Sequence, residues 1–264
     1  MIIDLPLILF CLTVFTGVVA LVDYLLRGRK KAAKEDVSIL VDYARSLFPV
    51  FLIVLLLRSF VAQPYRVPSG SLEPTVVPGD FIVVTQYNYG VYFPVWRKKI
   101  ISVSHPKRGQ IALFYWPVDP HITFVKRVIG VPGDTVSYIN KVLTINGKKM
   151  EQKYLGEKTV RQGNQLIKMA KYQENLNGLK HDIYVCAKGI SNCPAQGHDF
   201  YNLKIPKGYY FMMGDNRDDS DDSRDWGLVS KDAFIGRAML IWMSWNSDAP
   251  WYKKIRWSRI GKTL

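Results

Sequence analysis

The sequence predicts a mainly β protein, with two N-terminal transmembrane helices followed by an antiparallel β-sheet domain that carries an insertion. Three observations lead there. Two long apolar runs, residues 5–22 and 44–62, lie close together near the start of the chain. From Pro64 onward, short runs rich in β-branched and aromatic residues alternate with Pro, Gly and Asp clusters. Beyond the second apolar run, no long stretch has helical periodicity.

The first apolar run approaches the ~20 residues that a bilayer span needs. Its start, Met1-Ile2-Ile3-Asp4, lacks the basic residues of a cleaved secretory signal, so an uncleaved anchor over residues 1–26 is expected. Arg27, Arg29, Lys30, Lys31 and Lys34 follow, and the positive-inside rule puts this 27–43 segment in the cytoplasm. The second run, 44–62, is uninterrupted over residues 47–57, with Arg45 and Arg58 near its ends, where long side chains snorkel to the headgroups. So short a centre also fits a buried or interfacial helix. Pairing with the first run into a helical hairpin favours a second span. The expected topology has the N-terminus outside, the basic loop inside and residues 63–264 outside.

In that last part, residues 81–85, 111–116 and 124–129 read as strands. Pro78-Gly79-Asp80, Lys107-Arg108-Gly109 and Pro132-Gly133-Asp134 punctuate them. Val142-Leu143-Thr144-Ile145 runs into Asn146-Gly147, the strongest short-range hairpin signal. From about residue 148 to 203 the pattern weakens and Lys, Gln and Asn increase, which reads as an insertion or a second, looser lobe. The strand pattern returns at residues 209–213. An apolar, aromatic run at 238–245 precedes basic residues from Lys253 onward. Such elements build one or two packed antiparallel sheets.

A hydrophobic fraction of 48% against 22% charged excludes a disordered chain. The net charge of +14 suggests acidic partners. The apolar runs, with no zinc finger or aromatic RNA-binding strand, point to lipid, and no nucleic-acid partner is expected. Of the three cysteines, Cys11 sits inside the first run as a small apolar residue. Cys186 and Cys193 bracket a short loop in the part expected outside, where oxidation is permitted, so a disulfide between them is expected. Zinc is the alternative, with His181 and His198 flanking the pair, but the spacing lacks a tight metal knuckle. No metal and no cofactor is expected.

Three segments carry chemistry. Pro68-Ser69-Gly70-Ser71-Leu72-Glu73-Pro74-Thr75 makes a tight turn whose backbone N–H groups can point at a bound oxygen; taken alone, such a Ser-Gly-Ser stretch between prolines is usually a linker. Phe124-Val125-Lys126-Arg127-Val128-Ile129-Gly130 places a lysine in an apolar strand. If that lysine faces inward, burial lowers its pKa toward that of a base; facing outward, it is an ordinary solvated lysine. The third segment, residues 214–227, is a dense polar loop from Gly214-Asp215-Asn216-Arg217 to Trp226-Gly227. It reads as a solvated acidic turn, or as a loop stiffened by Arg217 and Arg224. Its glycine and the missing closing glutamate do not match an EF-hand.

In this order, behind two apolar runs, these segments closely resemble the bacterial type I signal peptidases (leader peptidases). The matching blocks are the Ser69-Gly70-Ser71 segment, Arg108-Gly109, Lys126-Arg127 with Pro132-Gly133-Asp134, the Gly214-Asp215-Asn216-Arg217 loop through Ser220 to Asp222-Ser223-Arg224, and Ile241-Trp242-Met243-Ser244. Together they span residues 49–260, the insertion matching least. The resemblance implies a mainly β catalytic domain with a β-rich insertion. It implies Ser71 as nucleophile, Lys126 as unprotonated general base, and the Ser69 hydroxyl with the Ser71 N–H as oxyanion hole. Ser220 corresponds to the serine that orients the lysine amine, and Asp222 and Arg224 to a supporting ion pair with Arg127 close by. Val67, Pro68, Leu72, Val76 and Val125 fall where the family lines shallow pockets for small side chains.

The chemistry is coherent, because Ser–Lys is a known alternative to a histidine-based triad. All four histidines lie outside the blocks, which argues against Ser-His-Asp. Three departures stand out. Leu72 replaces the usual methionine, a volume-conserving change. Glu73 puts a carboxylate two residues from Ser71 and is expected to point to solvent. Gln110 replaces a common aspartate. The expected activity is removal of signal peptides from exported preproteins after small residues, at the outer face of the bacterial cytoplasmic membrane. The bilayer is an expected partner and the secretion translocon a further candidate. A specialised pilin or conjugation-precursor peptidase and an inactive envelope scaffold are the alternatives.

Overall fold

The computed structural model describes residues 5–27, 38–56, 63–92, 99–162, 165–187, 189–190, 193–194 and 198–264. Two long helices come first, α1 (Leu5–Arg27) and α2 (Ile39–Leu56). Sixteen strands follow among the described residues. The first eight are β1 (Gln63–Arg66), β2 (Asp80–Thr85), β3 (Gly90–Tyr92), β4 (Lys99–Ser102), β5 (Ile111–Tyr115), β6 (Thr123–Gly130), β7 (Thr135–Ile139) and β8 (Val142–Ile145). The others are β9 (Lys148–Lys149), β10 (Glu151–Gln162), β11 (Gln165–Leu176), β12 (Leu179–Cys186), β13 (Phe200–Lys204), β14 (Tyr209–Met213), β15 (Val229–Ser230) and β16 (Phe234–Ser244). A short helix, α3 (Ser223–Trp226), lies between β14 and β15.

The chain forms two compact units. One holds α1, α2 and the β3–β4 hairpin. Leu7–Leu26 and Ile39–Leu56 are long and apolar enough to cross a membrane, with mean hydropathies of 2.2 and 2.0. α2 starts earlier than the apolar run suggested, because Ser38 accepts the N–H groups of Val41 and Asp42 and Ile39 and Leu40 extend the apolar surface. The rest of that run, residues 57–62 with Arg58, lies outside the described residues, as do Arg29, Lys30, Lys31 and Lys34. α1 and α2 pack closely where Gly17 meets Phe48: a Cβ at Gly17 would stand 2.8 Å from the phenyl ring. Arg45, expected at the headgroups, instead ion-pairs with Asp23 of α1.

The other unit carries the β domain. Its main sheet has seven strands in the order β1-β2-β16-β5-β6-β14-β15, and the pairs from β2 to β15 are antiparallel. One core cluster joins Val67, Leu72 and Val76 to Ile82, Ile111, Leu113 and Ile241, so the turn at residues 68–76 is pinned by side chains buried beneath it. A second cluster, with Ile129, Leu143, Ile145, Ile205 and Phe211, packs the main sheet against the sheet β13-β7-β8-β9. Asn146 and Gly147 join β8 to β9 with φ of 52° and 77°, the positive values a two-residue hairpin needs.

The segment read as an insertion or a second, looser lobe is a regular β insertion. Strands β10, β11 and β12 form a three-stranded antiparallel sheet, with Val160, Ile167, Met169, Tyr184 and Cys186 clustered on one face. Apolar residues lie on its exposed positions too, among them Leu155, Leu166 and Leu179, which blurred the alternation in the sequence. Cys186, at the end of β12, is disulfide-bonded to Cys193.

Candidate active site

Strand pairing brings the three segments together. On β6, Lys126 stands opposite Ala112 of β5, and Arg127 stands opposite Met213 of β14. β14 then ends at Gly214, which opens the polar loop. Asn216 reaches back to the first segment: its N–H donates to the Ser71 carbonyl at 3.1 Å, and its amide to the Gly70 carbonyl at 3.2 Å. Gly214 permits this approach, since a Cβ there would overlap both the Ser71 carbonyl oxygen and the Ser220 side chain. Ser71 and Ser220 are thus neighbours through Gly214.

Ser71 is half-buried and Ser69 exposed, with their hydroxyls 3.4 Å apart. Among the described residues the Ser71 N–H has no hydrogen-bond acceptor. Lys126 is 4% exposed and has no carboxylate within ion-pair distance among the described residues; its Nζ lies 5.5 Å from the centre of the Phe124 ring. Burial pushes its pKa down to about 8, against the pull of Asp222, Asp221 and Asp219. Ser220 Oγ is buried with no hydrogen-bond partner among the described residues, and is free to bond an amine.

Asp222 and Arg224 form a bidentate pair, with Arg224 Nε and Nη2 at 2.9 and 2.8 Å from the two carboxylate oxygens. Asp222 also accepts the Gly214 N–H at 3.0 Å and caps α3. Burial alone would raise its pKa, but the Arg224 hydrogen bonds and charge outweigh this and hold it low. Arg224 donates in turn to the Arg217 carbonyl at 2.6 Å. The pair therefore fixes both ends of the loop that carries Ser220.

Arg127 binds Asp215 through Nε and Nη2, both at 2.7 Å, and donates Nη1 to the Gly109 carbonyl at 2.6 Å. Thr75 donates to the same Asp215 at 2.5 Å, so this carboxylate clamps all three segments. Arg217 pairs with Glu174 of β11, and His181 of β12 lies 3.4 Å from Glu174 and 3.8 Å from Asp215. Burial pushes the His181 pKa down to about 4 despite both carboxylates. Asp215, Thr75, Glu174 and His181 were not assigned roles from the sequence. Glu174 and His181 stand opposite each other in the β11–β12 register, but their partners lie far away in the chain and leave no local pattern.

Glu73 departs from expectation. It is half-buried, curled so that its Oε1 lies 3.4 Å from where a Cβ on Gly70 would be, and burial raises its pKa to about 7. The carboxylates that act most on Lys126 are those of the polar loop, not Glu73. Among the residues expected to line pockets, Pro68 is exposed and Val125 half-buried, whereas Val67, Leu72 and Val76 are buried in the core. Direct contact with a bound segment is open to the first two; the other three shape the support beneath. Asp218 accepts the Cys186 N–H at 2.7 Å and Lys141 Nζ at 2.6 Å, tying the disulfide-bearing end of β12 to the same loop.

The chain is similar in sequence to known proteins. A signal peptidase I of Pseudomonas fluorescens is 43% identical over 82% of this chain and 76% of its own. One from Pseudomonas aeruginosa is 37% identical over 99% of both chains. A crystal structure of a signal peptidase I from Enterococcus faecalis aligns with 52% of this chain and 98% of its own, at 26% identity and a TM-score of 0.31. Residues 40–245 match the signal peptidase family, peptidase S26. With relatives this similar along nearly its whole length, the chain belongs to the signal peptidase family, peptidase S26.

Proposed function

We propose that this chain is a membrane-anchored serine endopeptidase that removes signal peptides from exported preproteins with a Ser71/Lys126 dyad. The observation that carries the reading is Lys126: buried, without a carboxylate in ion-pair distance among the described residues, and next in the sheet to the strand whose end brings Ser220 near Ser71. Such a lysine is discharged far more easily than a solvated one. Neutral Lys126 accepts the proton of Ser71 Oγ as that oxygen attacks the scissile carbonyl carbon. The carbonyl π electrons move onto oxygen, where the Ser71 N–H and the Ser69 hydroxyl donate to it. Donors of this kind contribute ~2.7–4 kcal/mol each. Collapse of the tetrahedral intermediate expels the amine, which takes the proton from Lys126 and leaves an acyl ester on Ser71. Water, deprotonated by Lys126, then cleaves the ester and restores Ser71. Ser220 holds the lysine amine in line, and Asp222 with Arg224 holds Ser220.

The turn at 68–76 rests on Val67, Leu72 and Val76, while Pro68 and Val125 face the bound segment. Shallow pockets of this kind admit small side chains one and three positions before the cut and exclude larger ones sterically. α1 and α2 anchor the enzyme as a helical hairpin, with the basic 27–43 segment cytoplasmic and the β domain on the outer face of the bacterial inner membrane. Its partners there are the exported preproteins and the bilayer, with the secretion translocon adjacent.

The test is cleavage of several purified preproteins in lipid by the wild type, Ser71→Ala and Lys126→Ala. The reading expects wild type to cut each after a small residue, and both variants to be inactive with unchanged unfolding transitions. Undiminished cutting by either variant would overturn the assignment. Cutting of a single preprotein would favour the specialised peptidase.

A further inference from the structure

We propose that a cavity of about 380 Å³ beside the Arg127–Asp215 pair is a binding site for a phosphate group, free or as the headgroup of an acidic lipid. Lys180, His181, Arg237, Lys262 and Gln110 converge on it from separate chain segments; Ser71, Lys126 and Ser220 do not line it. It is therefore a second site, and its existence does not depend on the roles given to the dyad.

The donors are built in. The His181 side chain is 4% exposed, and among the described residues neither ring nitrogen is hydrogen-bonded. Its Nε2 faces Glu174 and Asp215, which are bound by Arg217 and Arg127 respectively, and its Nδ1 is left without a neighbouring acceptor. Arg237 Nε is also buried without a hydrogen-bond partner among the described residues. Gln110 Oε1 accepts from the Tyr89 hydroxyl and the Lys107 N–H, both at 3.1 Å, which leaves its amide N–H groups to donate. Lys180, Arg237 and Lys262 have no carboxylate within ion-pair distance among the described residues. The acidic lining residue, Asp182, is paired with Lys171 at 2.6 Å. A carboxylate offers two oxygens to such a set; a phosphate offers more and carries greater charge, so it satisfies donors arriving from several directions. Lys180 and Lys262 are exposed at the rim, so the cavity opens to solvent and a headgroup can enter.

The full chain, labelled at its histidine rings, is titrated with inorganic phosphate at constant ionic strength in phosphatidylcholine nanodiscs, with His181→Gln assigning the resonance. The expected result is a saturable shift of His181 alone among the four histidines. In Arg237→Gln/Lys262→Gln, and to a lesser degree in Lys262→Gln, the midpoint moves to higher phosphate, by about tenfold in the double variant. Cleavage by either variant without phosphate stays at the wild-type rate. A second arm uses phosphatidylglycerol nanodiscs without phosphate. The same His181 shift there identifies the lipid headgroup as a source, and its restriction to the first arm identifies the free anion. The proposal is overturned if His181 shifts saturably in neither arm, if all four histidines drift together, or if the variants leave the midpoint unchanged.

Discussion

Lys126 and Arg127 are neighbours on one strand and almost equally buried, yet the protein treats their charges in opposite ways. Arg127 is surrounded by acceptors: Asp215, the Gly109 carbonyl and the Thr75 hydroxyl. Lys126 has an aromatic ring near its Nζ and carboxylates acting only from a distance. A buried cation is either paired or pushed toward neutrality. The paired one holds three chain segments in register, and the unpaired one is the base of the proposed mechanism. In that mechanism the clamp sets geometry at Ser71, and the isolated amine supplies reactivity.

Exchanging the two treatments should show the largest effects. Lys126→Arg keeps a cation at the site but cannot discharge it, so its cleavage rate should fall by ~10²–10⁴-fold, as far as that of Lys126→Ala. A rate near wild type for Lys126→Arg would mean that Lys126 is not the base. Asp215→Asn leaves Arg127 buried without its counter-charge and should cost about 3–5 kcal/mol of stability, read from denaturant unfolding. A loss below about 1 kcal/mol would show that the clamp is not the structural half of the pair.

Ser220→Ala comes next. It should lower kcat by ~10-fold or more without moving the unfolding midpoint, because among the described residues the Ser220 hydroxyl makes no hydrogen bond that the resting fold relies on.

The clamp also carries a pH signature. His181 titrates at about 4 when folded and near 6.5 when unfolded, so the unfolded chain binds more protons between these values and stability falls as pH drops through that window. Asp215 and Glu174, held low by Arg127 and Arg217, add loss in the same direction on further acidification. Thermal unfolding between pH 7 and 4 measures this, and His181→Gln should flatten the upper part of the slope. The smallest effect is expected for Glu73→Gln. Burial raises its carboxyl pKa to about 7 and it lies two residues from Ser71, but it is not among the main groups acting on Lys126, so the rate above pH 7 should change by less than about threefold.

Much of this half of the molecule was legible because its signals are local. The Ser69-Gly70-Ser71 turn, the β6 pattern and the polar loop each occupy a few adjacent residues, and their order carried the family resemblance. What could not be read was whatever depends on distant partners. Asp215 meets Arg127 across 88 positions and Thr75 across 140. Glu174 and His181 come from strands rich in polar residues on both faces, so nothing marked either as buried. Glu73 was misjudged for the same reason: a carboxylate in a turn normally faces water, and only the tertiary packing around Gly70 and Tyr184 encloses it.

The most direct measurement is the pH dependence of kcat/KM on a preprotein substrate from pH 6 to 10. The account predicts a rate that rises with pH and levels off above an apparent pKa near 8, as Lys126 loses its proton, with no such limb in the residual activity of Lys126→Ala. A wild-type rate that is flat across this range, or a limb that survives in Lys126→Ala, would contradict it.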